Sequence, residues 1–121
     1  MNADNENAWG HTDPATHTPD SADVELAVEV FSMLADATRI RIILALRAGE
    51  LPVNTLAEIA GKSPAAVSQH LAKLRLAKMV LTRQEGTRVF YRLANTHASD
   101  LVSDAIHQAE HIVAAAPGHE H

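Results

Sequence analysis

No cysteine occurs anywhere in the 121 residues. Disulfides, iron–sulfur clusters and thiolate metal sites are therefore excluded. Aromatic residues are almost as scarce: Trp9, Phe31, Phe90 and Tyr91 are all there are. With 46% of the chain apolar, the core must be built from Leu, Ile, Val and Ala, which suits packed helices better than an aromatic-rich sandwich. No apolar run approaches the ~20 residues of a membrane span, and the N-terminal segment lacks the apolar centre of a signal peptide. A cytoplasmic protein is expected. No nucleophile–base pair and no phosphate-cradling glycine loop is evident, so the sequence predicts no enzyme. The length suits one domain, whose modest core would gain from a second subunit.

Basic residues are missing from both ends. The net charge is −5, yet all ten Lys and Arg lie between Arg39 and Arg92. That window holds three acids, Glu50, Glu58 and Glu85, and carries a net +7, while the flanks hold twelve acids. A basic middle between acidic ends is the footprint of a polyanion-binding core.

Residues 1–22 are polar, without apolar period, and are expected to form a disordered arm. A domain is expected over 23–114, followed by a flexible histidine-containing tail over 115–121. Within the domain, Val24, Leu26, Ala27, Val30, Phe31 and Leu34 recur at helical spacing. Asp36 can cap a second helix over 37–48, ended by Gly49. Pro52 opens a third, with Leu56, Ile59 and Ala60 inside and Gly61 as its stop. Ser63-Pro64 opens a fourth, running to about Met79, with Val67, Leu71, Leu74 and Leu76 as apolar contacts. Residues 80–83 and 87–92 read as two strands of a hairpin with Gln84-Glu85-Gly86 at its tip. Asn95 or Thr96 opens a last helix to about Ala114. The expectation is a mainly α fold with a small β-hairpin: a winged helix-turn-helix in the order four helices, two strands, one helix.

In such a fold the N-terminal part of the fourth helix enters the major groove. It offers Ser63, Ser68, Gln69 and His70; Gln can bond adenine bidentately and Ser can bond bases or phosphates. Lys62, Lys73 and Arg75 suit phosphates, and Arg83 and Arg88 on the hairpin suit the neighbouring minor groove or backbone.

Three stretches, Leu34-Ala35-Asp36-Ala37-Thr38-Arg39, residues 67–74 (VSQHLAKL) and residues 86–93 (GTRVFYRL), resemble the ArsR/SmtB family of bacterial metal-responsive repressors. The resemblance runs from about Val24 to His111. It implies a homodimer joined through the first and last helices, binding a palindromic operator in double-stranded DNA. It also implies release of that DNA when metal binds.

The last helix carries its own signal. His97, Asp100, Asp104, His107 and His111 follow steps of three and four and share one helical face. His107 and His111, four apart, can chelate one metal ion, and Glu110 beside them adds an oxygen. His119 and His121 follow on the tail. The family's zinc sensors pair an Asp-x-His with ligands eleven and fourteen residues after that His. Here His97 and His111 fit, but Asn95 and Gln108 stand where Asp and His are usual. The C-terminal half instead resembles the family's mycobacterial-type nickel and cobalt sensors, with His97, Glu110, His111 and His119 matching. Mixed nitrogen and oxygen donors without thiolate suit Ni(II) or Co(II) first and Zn(II) next. Two alternatives stay open: a repressor of the same fold that senses no metal, and a His-rich metal-binding protein without a DNA role.

Overall fold

Helices alternate with tight stops along this chain, and each boundary has a local chemical cause. The computed structural model describes residues 20–115. Helix α1 spans Ser21–Leu34, with the Asp20 carboxylate accepting from the Asp23 N–H at 2.9 Å. Helix α2, Ala37–Leu46, is capped by Asp36, whose carboxylate accepts from the Arg39 N–H at 3.0 Å. That hydrogen bond holds the Asp36 carboxyl below its usual pKa, as expected for a cap favouring the charged form. Helix α3 covers Val53–Ala60 and helix α4 Pro64–Leu76. Ser63 caps α4 by accepting from the Ala66 N–H at 3.1 Å.

Strand β1, Leu51–Pro52, precedes α3. Strands β2, Val80–Glu85, and β3, Arg88–Leu93, form the wing. The three make an antiparallel sheet in the order β1-β3-β2, with Leu51 opposite Tyr91 and Val80 opposite Leu93. Helix α5, His97–Ala115, closes the described chain. None of the described helices is long and apolar enough to cross a membrane.

The same stop closes α3 and α4. In α3, Lys62 N–H returns to Ala57 O and Gly61 N–H to Glu58 O, with Gly61 left-handed at φ 68°. In α4, Met79 N–H returns to Leu74 O and Lys78 N–H to Arg75 O, with Lys78 at φ 62°. Both are Schellman closures, which need one left-handed residue. Gly61 has open space where a Cβ would stand, so Gly61→Ala meets no clash and only the backbone cost. It is expected to destabilise the protein by about 1 kcal/mol, measured by urea unfolding.

The chain divides into two compact units, Met1–Phe31 and Ser32–His121. Of the first, the described part is Asp20 and α1 as far as Phe31, and its Val24, Val28 and Phe31 are all more than half exposed. In the second, α2 turns Thr38, Ile42, Ile43 and Leu46 inward, α3 Leu56, Ala57 and Ala60, and α4 Val67, Leu71 and Leu74. Val80 completes this core from the sheet, and α5 packs on α2 through buried Ala98, Ser99 and Val102.

The expected order of helices and wing strands holds. The sheet, however, has a third strand. Leu51–Pro52 is too short to carry an alternating pattern and exists only through pairing with β3. Helices α2 and α4 stop at Leu46 and Leu76, two and three residues before the expected ends. The first wing strand is two residues longer than expected, and the second is shifted by one residue. Glu85 pairs with Arg88, leaving Gly86-Thr87 as a two-residue turn with Gly86 at φ 63°, the requirement of a first turn residue in primed hairpins. Ile59 and Leu76, expected inside, are 51% and 84% exposed. Leu76 lies two residues past Leu74, about 200° around the helix, and Ile59 falls outside the stripe set by Leu56, Ala57 and Ala60. Residues 1–19 and 116–121, and with them His11, His17, His119, His121 and most of the expected arm and tail, lie outside the described residues.

Candidate nucleic-acid interface and histidine-bearing helix

The left-handed turn at Gly61 reverses the chain between α3 and α4, and Ser63-Pro64 starts α4 immediately afterwards. Because Val67, Leu71 and Leu74 seat one face in the core, the opposite face is left to solvent. Lys62, Ser63, Ser68, Gln69, Lys73 and Arg75 are all exposed there. Ser63 is committed to capping through its oxygen, but its O–H can still donate outward. Arg75 and Lys78 border a groove of about 430 Å³ that Ala72, Leu76 and Tyr91 also line. His70 differs from its neighbours. It is half-buried, and its Nδ1 accepts from the Arg39 Nε–H at 3.1 Å.

The two wing arginines are not equivalent. Arg83 makes a bidentate pair with Glu50, with Nε at 3.0 and 3.1 Å and Nη2 at 2.9 Å from the carboxylate. A second acid, Glu85, lies 3.8 Å away. These hydrogen bonds lower the Glu50 pKa and raise that of Arg83. Arg88 makes no ion pair with the described residues. Both guanidinium groups lie over the Phe90 ring, at 4.9 and 5.0 Å from its centre, so the aromatic residue organises the pair by cation–π attraction. Glu50 and Arg39 are the site residues that motif reading missed. Glu50 had one signal, being among the three acids of the basic window.

On α5, His97, Asp100, Asp104, His107, Glu110 and His111 are all exposed, as the spacing predicts for one polar face. Asn95 accepts from the His97 N–H at 2.9 Å and so serves the helix start. Glu110 borders a shallow apolar depression of about 380 Å³ with Ile106, Ala109, Val113 and Ala114. Fourteen residues of helix separate His97 from His111 by about 21 Å, so one ion cannot touch both in one protomer. Among the described residues no three potential ligands converge within the chain. His107 and His111 share a face one turn apart, so both can approach one ion. At the other end of the contact with α2, Arg47 Nη1 donates to Ser103 Oγ at 3.1 Å.

Residues 36–80 match the family model described as bacterial regulatory protein, arsR family. Over 94 residues the chain is 54% identical to the HTH-type transcriptional regulator KmtR of Mycobacterium tuberculosis, covering 78% of this chain and 72% of that protein. This chain belongs to the arsR family. A second relative, the regulator NmtR of the same organism, is 38% identical over 93 residues, covering 74% of this chain and 78% of its own length. Among solved structures, the antimony-specific transcriptional repressor AntR superposes with a TM-score of 0.70 at 28% identity, covering 84% of this chain and 96% of AntR. A homodimeric winged helix-turn-helix DNA-binding domain from Mycobacterium bovis gives 0.69 at 26% identity, covering 92% and 98%. The arsR fold is a winged helix-turn-helix, and its members matched here are transcriptional regulators rather than enzymes. This arsR protein is accordingly a DNA-binding transcriptional repressor.

Proposed function

We propose that the protein is a homodimeric repressor that leaves its palindromic operator when a divalent metal ion binds α5 and the tail. Ni(II) or Co(II) is the favoured ion and Zn(II) the next. The reading rests on one observation above all: a DNA-binding winged helix ends in a helix whose exposed face carries His97, His107 and His111. Glu110 on α5 and His119 on the tail complete the proposed ligand set. The distance between His97 and His111 favours a site shared by two antiparallel α5 helices, since such a pair brings one protomer's His97 toward the other's His111. The apolar residues exposed on α1 and on the second half of α5, Phe31 and Ile112 among them, favour the same subunit arrangement.

In the DNA complex, Ser68, Gln69 and His70 reach base edges, the Ser63 hydroxyl donates to a base or phosphate while capping α4, and Lys62, Lys73 and Arg75 hold phosphates. On the wing, Arg88 is the free hand, while Arg83 reaches DNA only by leaving or sharing Glu50. Metal would act by favouring a dimer whose two α4 helices no longer match the operator, and the coupling equals the difference in metal affinity between free and DNA-bound protein.

The test is fluorescence anisotropy on a duplex selected by the protein from a random pool. The affinity is expected to fall by about a thousandfold or more between roughly 50 and 200 mM salt. Saturating Ni(II) or Co(II) should weaken it further, by tenfold or more. If none of Ni(II), Co(II) and Zn(II) shifts the binding curve, the metal switch is wrong and a repressor without metal sensing stands in its place. If affinity is independent of salt, the DNA reading itself fails.

A further inference from the structure

Arg39 and His70 join two elements whose sequence positions give no hint of contact. Arg39 sits in the first turn of α2, and its guanidinium is used on two sides. Nη1 donates to the Met33 carbonyl at 3.1 Å and lies 3.3 Å from the Met33 sulfur. Nε donates to Nδ1 of His70, in the exposed-to-buried boundary of α4, at 3.1 Å. A guanidinium N–H is always a donor. The His70 Nδ1 facing it must therefore be a bare acceptor, and a neutral ring then carries its proton on Nε2. No described residue hydrogen-bonds Nε2, and the side chain keeps 24% exposure.

A competitor stands beside this arrangement. The Asp36 carboxylate lies 3.9 Å from the same Nδ1. Without Arg39 that oxygen would draw a proton onto Nδ1, and Nε2 would become an acceptor. One ring would then present opposite hydrogen-bonding character to whatever it faces.

We infer that Arg39 is a positioning residue for DNA reading: it fixes His70 as the Nε2–H tautomer, so the recognition helix presents a donor there. Such a group donates to guanine N7 or O6, thymine O4, adenine N7 or a phosphate oxygen, and is mismatched to the amino groups of cytosine and adenine. The inference rests on the reading of α4 as the groove-facing helix, and it adds which chemistry one of its side chains selects and what sets it.

Two measurements test it on the full-length protein. Long-range proton–nitrogen NMR of histidine-labelled protein at neutral pH should show His70 with its proton on Nε2. In Arg39→Met, which keeps an apolar stem but no donor, the proton should move to Nδ1. Binding is then compared on the selected duplex and on a random duplex of equal length. The ratio of the two affinities cancels most of the phosphate contribution lost with the charge. That ratio is expected to fall about tenfold in Arg39→Met, the effect of one hydrogen bond. It should fall equally in His70→Ala, and no further in the double variant. A wild-type ring protonated on Nδ1, an unchanged ratio in Arg39→Met, or additive losses would each overturn the inference. The wild-type ring state is readable even if Arg39→Met folds poorly, and a wild-type ring protonated on Nδ1 overturns the inference by itself. A wild type that does not distinguish the two duplexes would instead remove the DNA-reading role of α4, whatever tautomer the ring shows.

Discussion

Leu71→Ala is expected to cost about 3 kcal/mol and lower the melting temperature by roughly 10–15 °C. Leu71 is fully buried, between Val67 and Leu74 on the inner stripe of α4. Removing the isopropyl group beyond its Cβ leaves a cavity against α2 and α3, the two helices on which α4 packs. The loss is a large part of the roughly 5–15 kcal/mol that holds a domain of this size together. The effect extends to function, because Leu71 is the middle of the three buried side chains, with Val67 and Leu74, that set the rotation of α4 about its axis. Ser68 and Gln69 lie on its exposed side, and a helix free to rock presents them in several registers. Selected-duplex affinity should therefore fall more than random-duplex affinity. Calorimetry and anisotropy together check this; a melting temperature within a few degrees of wild type would mean that the core closes over the missing group.

The second large effect concerns α5. His107→Ala and His111→Ala are each expected to weaken Ni(II) or Co(II) binding by at least about a hundredfold. The metal-free protein should bind DNA as before. Both residues are exposed, so neither replacement opens the core, whereas the buried Ala98 and Val102 that seat α5 on α2 are untouched. The diagnostic result is thus a protein that still binds its duplex and no longer lets go when metal is added. His97→Ala should behave alike if the site is shared between protomers. Metal titration of the variants followed by Co(II) absorption would report ligand loss and geometry together: weak visible bands for six-coordination, intense ones for a tetrahedral site. A variant that keeps wild-type metal response would remove that histidine from the ligand set.

Much of this molecule can be read locally. Asp36 and Ser63-Pro64 announce helix starts because a cap acts within three residues of itself, and Gly61 announces a stop for the same reason. The polar face of α5 follows from steps of three and four. The parts that cannot be read this way depend on residues far apart in sequence. Arg83 meets Glu50 across 33 positions and Arg39 meets His70 across 31. Strand β1 is two residues long and has no pattern of its own; it exists because β3 offers it an edge. Motif reading treated Arg83 and Arg88 alike, since charge and position along the hairpin are all that sequence supplies. The pairing with Glu50 that separates them is tertiary. His70 was legible as a polar residue on the recognition helix, while the proton arrangement of its ring needed a neighbour from α2.

Lys78 carries a consequence of a different kind. It occupies the left-handed position at the end of α4 that Gly61 fills at the end of α3, and its side chain makes that backbone less favourable by about 1 kcal/mol. Glycine there would relax the joint between recognition helix and wing, at the loss of one positive charge bordering the groove with Arg75 and Tyr91. The joint between α4 and β2 therefore holds a local backbone strain that the packing of the two elements on either side sustains.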